Sequence, residues 1–130
     1  FVQWILKVKS NIDSGQFKPM QYAAGEALSA KKEWYDNMNR VYRSRRDLAG
    51  QIMRTLGCEY DENQVGMFLW GRIPDSAESG EAIANKVLYE ANVFLTPGFI
   101  FGSRGERYIR ISLCCKNETL EEALKRIENL

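Results

Sequence analysis

The 130-residue sequence predicts an α+β fold, in which a small mixed or antiparallel sheet is packed with helices and follows one long helix. Two periodicities indicate this arrangement. Apolar residues recur at helical spacing from about Ala30 to Leu56, and they alternate with polar residues from Tyr108 to Leu113. The other strand-like runs are too few and too short for a doubly wound parallel sheet.

The first 29 residues are predicted to form three segments in order: one that could be helix or strand, then a loop, then a helix. Residues 1–9 fit both the strand period and the helix period. Asn11, Asp13, Ser14 and Gly15 are typical of a turn, because such side chains bond to nearby backbone and glycine accepts positive φ. Pro19 suits the first turn of the helix that follows, which continues to about Leu28.

The long helix is predicted to end at Gly57, which provides a left-handed cap. At 1.5 Å per residue it would be roughly 40 Å long, a length that suits a connection between two domains. Four arginines lie along it, and we interpret them as a solvated face partnered by Asp36 and Asp47, rather than as a phosphate-binding patch. These arginines are Arg40, Arg43, Arg45 and Arg46. Three aromatic residues on the same helix are interpreted as core or domain-interface residues: Trp34, Tyr35 and Tyr42.

Three short elements follow. Residues 65–70 form an apolar run between glycines, typical of a buried strand. Asp75 with Glu78, or Ser79, can cap the next helix, whose apolar stripe ends at Ala91. Residues 93–95 are predicted to form a brief strand before Pro97.

The last two elements are a strand and a helix. In the strand, Ile109, Ile111 and Leu113 share one face, whereas Tyr108, Arg110 and Ser112 share the other. In the helix, Thr119 and Glu122 have the spacing of a capping box and precede an apolar face.

Composition excludes several classes of function. The net charge of +1 gives no electrostatic reason to expect nucleic acid or an anionic membrane as a partner. No apolar stretch approaches the roughly 20 residues that span a bilayer, so we expect a soluble, cytoplasmic protein. The sequence contains no histidine, which removes imidazole-based catalytic triads and histidine zinc sites. We expect Cys58, Cys114 and Cys115 to be reduced and largely packed, because they are odd in number and unevenly spaced.

Arg110 is the strongest candidate for a functional residue. It lies on the strand face that the core leaves free, where a planar guanidinium can bind a carboxylate through two parallel hydrogen bonds. By pattern alone, an arginine in this position is more often simply solvated.

Several stretches carry a family resemblance. Residues 97–113 combine Pro-Gly, Phe-Gly and Gly-Glu-Arg-Tyr-Ile-Arg-Ile-Ser ahead of a terminal helix. Together with residues 9–28 and 66–74, they resemble the C-terminal end of fold-type I, class I/II aminotransferases, which use pyridoxal phosphate. The resemblance implies that residues 1–29 end the large-domain segment and its connecting loop and helix, and that residues 30–130 form the small domain with its long inter-domain helix.

The same resemblance implies a function. Arg110 would bind the α-carboxylate of an amino acid or 2-keto acid substrate, in a homodimeric enzyme whose large domain holds pyridoxal phosphate. The family's cofactor-binding residues, including the imine-forming lysine, lie upstream of the matching region. We therefore expect this chain to bind no cofactor and to be inactive by itself. Two alternatives remain open: a lyase or decarboxylase of the same fold, and a non-catalytic module for dimerisation or ligand binding.

The remaining candidates lie in loops. Gly98, Gly102 and Gly105 are interpreted as turn glycines, since their spacing is not that of a phosphate-binding loop. Phe99 and Phe101 could line a substrate pocket, but core packing is the preferred interpretation. The pattern places Arg104 and Arg107 on the surface, with Glu106 or a neighbouring chain as possible partners of Arg107. The resemblance places Asn11 and Ser14 near a subunit interface.

Overall fold

A computed structural model describes residues 1–12 and 15–130 of the chain. The helices and strands of this part are α1 (Val2–Ile12), α2 (Lys18–Leu28), α3 (Lys32–Thr55), β1 (Phe68–Arg72), α4 (Gly80–Ala91), β2 (Thr96–Pro97), β3 (Tyr108–Ser112) and α5 (Asn117–Ile127). Two 3₁₀ turns, Gly98–Phe101 and Ser103–Gly105, connect β2 to β3. The chain divides into two compact units, Phe1–Asn37 and Met38–Leu130. The division between residues 29 and 30 stays a prediction about the intact protein.

The first unit consists of helices. Residues 2–12 form a helix, so of the two structures that fit the pattern of residues 1–9 the helix is the one observed. The prediction of a turn is wrong for residues 11 and 12, because α1 extends to Ile12 and the Asn11 side chain donates to the Lys7 carbonyl at 2.7 Å. Asp13 and Ser14 lie outside the described residues, and Gly15 has the positive φ, +95°, that its type allows. At the start of α3, the Tyr35 hydroxyl donates to the Ala27 carbonyl at 2.6 Å.

The second unit contains a three-stranded antiparallel sheet in the order β1-β3-β2. This confirms the predicted α+β class and selects the antiparallel form of the sheet. Along β3 and just beyond it, Ile109, Ile111 and Leu113 are buried, as the alternation predicts. They pack in one apolar core that α3, α4 and α5 also enter, through Ile52, Met53, Val87, Leu120 and Ile127. The free energy of folding of this unit comes mainly from that burial.

Helix α3 confirms the predicted long helix to within two residues at each end. Its C-terminus is closed by Gly57, at φ +70°, and the Cys58 amide donates to the Met53 carbonyl at 2.8 Å. Tyr42 packs at the edge of the core, in agreement with its interpretation, whereas Trp34 is 56% exposed and stacks edge-on against Tyr35.

Two strand boundaries differ from the prediction. β1 begins at Phe68, because Gly66 turns the chain at φ +92° and Val65 is 91% exposed. The brief strand predicted at residues 93–95 is wrong, since Thr96 and Pro97 are the residues that pair with β3. Proline fits there because β2 is an edge strand and needs no amide hydrogen on its outer side.

The two predicted helix caps had different outcomes. For α4, the Ser79 hydroxyl accepts from the Ala82 amide at 3.0 Å, which selects the later of the two predicted caps. The capping box predicted at Thr119 and Glu122 is wrong, because α5 begins earlier, at Asn117, and both residues lie inside it. Glu122 instead accepts from the Arg126 side chain at 2.8 Å.

The arginines of α3 are not a uniform solvated face. Arg45 donates to the Leu113 carbonyl at 3.1 Å, and Arg46 donates to the Gly66 carbonyl at 2.9 Å. Both carbonyls lie just outside paired strand positions, where the sheet does not satisfy them. The predicted partner Asp36 pairs with Lys32 instead, at 2.6 Å. Arg45 and Arg46 therefore connect the helix to the ends of the sheet.

Arg107 is likewise not a free surface residue. Its Nη1 donates to the carbonyls of Ala77 at 2.6 Å and Glu78 at 3.1 Å, while its Nη2 donates to the Pro74 carbonyl at 2.7 Å. One guanidinium thus satisfies three carbonyls of the loop before α4. The sequence pattern did not indicate this role, because the carbonyls lie about 30 residues away along the chain.

Replacing Arg107 with alanine is expected to lower the free energy of unfolding by about 2 kcal/mol, because three backbone carbonyls, two of them in partly buried hydrogen bonds, lose a charged donor. Urea denaturation measures the change. Arg104→Ala is the matched control, since Arg104 is exposed in the neighbouring turn and its loss should change stability by no more than about 0.5 kcal/mol. Equal midpoints for the two variants would show that the Arg107 contacts contribute nothing.

Candidate functional site

The outer face of the sheet carries the candidate site. Arg110 lies on the central strand, where the register pairs it with Trp70 on β1 and with Thr96 on β2. Since directly paired residues of antiparallel strands point to the same face, these three side chains share the face away from the core. The structure thus places Arg110 on the free face, as the alternation predicts.

Two aromatic rings contact the guanidinium of Arg110. Its central carbon lies 4.1 Å from the centroid of the Phe68 ring and 4.3 Å from the centroid of the Phe101 ring. Both distances are well within the roughly 6 Å limit of a cation–π contact. We call Phe68 and Phe101 the aromatic clamp.

The side chain of Arg110 makes no hydrogen bond or ion pair with any residue that the structure describes. Its Nε is buried and lacks a hydrogen-bond partner there. A buried donor without a partner is costly, and a guanidinium offers parallel N–H groups that match the two oxygens of a carboxylate. The site therefore has the chemistry to bind a planar anion.

A glycine-rich turn presents Phe101 to Arg110. The backbones of Gly98 and Gly105 approach so closely that a Cβ on either residue would overlap the carbonyl oxygen of the other. Gly102, immediately after Phe101, has φ +121°, which glycine alone adopts readily. This arrangement is consistent with the interpretation of these three residues as turn glycines.

Core packing is the wrong interpretation for both phenylalanines of this turn. Phe99 is 42% exposed and Phe101 is 52% exposed. The physical reason is that the turn passes over the outer face of the sheet, where Phe101 meets Arg110 and also Trp70, at a ring separation of 5.6 Å. Tyr108 stacks on the same Trp70 at 5.5 Å. Neither periodicity nor spacing indicates the clamp, and its signal in the sequence is the aromatic content of residues 68–70 and 99–101.

A cavity of about 730 Å³ borders Arg110. The segment between α4 and β2 forms one side of it, and α5 forms another. Glu122 and Arg126 contribute charge to its lining. The hydrogen bond and positive charge of Arg126 hold the pKa of Glu122 below its usual range, so this carboxylate stays ionised and paired.

The cysteines are free thiols, as expected. Burial raises the pKa of Cys58 to about 11, so this thiol stays protonated and unreactive near neutral pH. Cys114 is exposed, which makes the expectation of packing wrong for that residue. In the described ranges, no group of three acidic or thiol side chains could hold a metal ion, and no helix is both long and apolar enough to cross a bilayer.

The described residues do not fit pyridoxal phosphate by themselves. Every lysine among them is exposed, whereas an imine-forming lysine is activated by desolvation or by a neighbouring cation. Asn11, which the resemblance places near a subunit interface, belongs to α1, and that placement stays a prediction.

Comparison with known proteins gives consistent results. Residues 1–127 match the family described as aminotransferase class I and II. LL-diaminopimelate aminotransferase from Halothermothrix orenii is 37% identical over 123 residues, which cover 95% of this chain and 31% of that protein. Transaminase BacF from Bacillus subtilis is 32% identical over 130 residues, covering 99% of this chain and 33% of BacF.

Solved structures agree. The apo-BacF structure from Bacillus subtilis matches with a TM-score of 0.75 and 32% identity over 98% of this chain and 33% of that one. MJ0684 from Methanococcus jannaschii matches with a TM-score of 0.79 and 32% identity, over 98% of this chain and 34% of that one. The chain spans about a third of the length of these relatives. With nearly all of its residues inside the family match, the chain belongs to the class I and II aminotransferases.

Proposed function

We propose that the protein containing this chain transfers an amino group between an amino acid and a 2-keto acid with pyridoxal phosphate, and that Arg110 binds the substrate α-carboxylate. The observation that carries the second part is a guanidinium on a central strand that contacts two rings and has no polar partner among the described residues. The family and the names of the relatives support the first part.

Binding of the α-carboxylate by one arginine suits both substrates of this reaction. The amino acid and the 2-keto acid both carry a carboxylate bonded directly to the reacting α-carbon, so one arginine can bind both. Two parallel hydrogen bonds fix the plane of that carboxylate, which restricts rotation of the reacting carbon relative to the protein. The role of the described residues is therefore binding and orientation, while bound pyridoxal phosphate supplies an electron sink.

We place the cofactor site on the large domain of the intact protein, because the described lysines are exposed. It follows that this chain alone would not transaminate. We further propose a cytoplasmic homodimer, as the resemblance implies. Exposed apolar side chains on α1 support packing of this helix against the rest of the protein: Trp4, Ile5, Leu6 and Val8.

The test uses the full-length protein. It is incubated with pyridoxal phosphate, a 2-keto acid and one amino acid at a time. LL-diaminopimelate, which appears in the names of several relatives, is tested first, and other amino acids are tested in parallel. We expect a visible absorbance band of bound cofactor that shifts on addition of the donor, and one new amino acid formed for each donor consumed.

Two results would contradict the proposal. Release of carbon dioxide, or an eliminated product without amino transfer, would indicate a decarboxylase or lyase of the same fold. A full-length protein that binds no pyridoxal phosphate would favour a non-catalytic module.

A further inference from the structure

Both rings of the aromatic clamp contact the Arg110 guanidinium. The two ring centroids lie at nearly equal distances from its central carbon, 4.1 and 4.3 Å. Phe68 comes from the start of β1, and Phe101 comes from the turn between β2 and β3. Two residues distant in sequence thus converge on one cation.

The clamp restrains Arg110 without neutralising it. An arginine side chain has many rotamers, and this conformational entropy is lost when its guanidinium is fixed. An acidic neighbour could fix it, but that carboxylate would occupy the N–H donors and compete with a carboxylate ligand. Ring faces attract a cation through their quadrupole and leave those donors unoccupied.

The clamp itself is built on constrained backbone. Phe68 pairs with Ser112, two residues along β3 from Arg110, and so lies diagonally across the same face of the sheet. Phe101 is held by a turn in which Gly98 and Gly105 are in direct backbone contact. Trp70 also contacts Phe101 edge-on.

Burial of the rings does not account for this arrangement. Phe68 is 39% exposed and Phe101 is 52% exposed in this chain, so each gains less from burial than a core phenylalanine. What the two rings share is their contact with Arg110.

We propose that Phe68 and Phe101 are positioning residues, which hold the Arg110 guanidinium in the plane that a substrate carboxylate meets. The inference rests on the proposed function of Arg110, and it adds what fixes the orientation of the Arg110 guanidinium before substrate binds. It assigns to the turn at residues 97–105 a role in substrate affinity through Phe101.

The test is a double-mutant cycle in the full-length holoenzyme. Phe101→Leu is made in the natural background and in an Arg110→Gln background, and kcat and KM are measured for the amino acid substrate. In the natural background we expect kcat/KM to fall by about 3- to 30-fold, mainly through KM, as for a partly desolvated cation–π contact. In the Arg110→Gln background, where no cation remains, the same change should be less than about 2-fold.

Three further variants complete the design. Phe101→Tyr keeps the ring and should keep most of the kcat/KM. Phe68→Leu tests the other ring separately, with folding checked by circular dichroism. Tyr89→Leu removes a well-exposed ring from α4, away from the clamp, and should leave the kinetics unchanged.

Each contrary outcome has its own meaning. Equal loss from Phe101→Leu in both backgrounds would show that the ring acts independently of Arg110, and would overturn the inference. So would unchanged kinetics in both ring variants when Arg110→Gln alone is impaired, a result that leaves the proposed function standing. If Arg110→Gln alone had no effect, the role of Arg110 would be rejected, and the clamp with it.

Discussion

Replacing Arg110 with lysine in the full-length enzyme is expected to lower kcat/KM by about 10- to 100-fold, the range for a lost charge-assisted hydrogen bond. Lysine keeps the positive charge but loses the planar fork that binds two oxygens at once. Because both the ground state and the transition state contain the carboxylate, KM should rise. The value of kcat should also fall, since one point charge no longer fixes the plane of the carboxylate. Steady-state kinetics with a series of donor concentrations separates the two effects.

The control for this variant is Arg104→Lys. Arg104 is an exposed arginine of the neighbouring turn that makes no side-chain contact with the described residues. Its replacement should leave kcat/KM within about 2-fold of the natural enzyme, as is usual for an isolated surface change. A near-normal kcat/KM for Arg110→Lys would mean that Arg110 is an ordinary strand arginine.

Replacing Gly105 with alanine is expected to lower the free energy of unfolding by about 3 kcal/mol or more. The new methyl group would overlap the backbone carbonyl of Gly98, which cannot move aside as a flexible side chain can. Relief of the overlap requires the turn at residues 97–105 to shift, so Phe101 should also move relative to Arg110. Urea denaturation reports the loss of stability.

Gly25→Ala is the matched control for this substitution. Gly25 lies inside α2, and no described residue comes near the position of an added Cβ. Alanine there should be neutral or should stabilise the helix by up to about 1 kcal/mol. Equal effects of the two substitutions would show that the contact between Gly98 and Gly105 is not a close one in the folded protein.

The sequence predicted the elements whose periodicity repeats over several turns or residues. α3 was predicted from its apolar stripe, and β3 was predicted with its two faces correctly assigned, because alternation along a half-buried strand directly reports which side is packed. The position of Arg110 on the free face followed from the same alternation. β2, with only two residues, is too short to show any period.

What the sequence could not predict are contacts between residues far apart along the chain. The three carbonyls that accept from Arg107 and the ring of Phe68 beside Arg110 are brought into place by the sheet and its turns. Neither composition nor spacing indicates such pairs. Arg107 and Arg104 flank the same turn and look alike in sequence, yet one binds a loop and the other is exposed.

The position of Arg110 on the central strand has a consequence for how this protein can change during evolution. Its backbone is anchored by a neighbouring strand on each side, so a substitution that moved the cation would disturb the whole sheet. The rings beside it come from the first residue of β1 and from a surface turn. If Arg110 binds substrate as proposed, new substrate preferences can arise by changing the residues around a charge that itself stays in place.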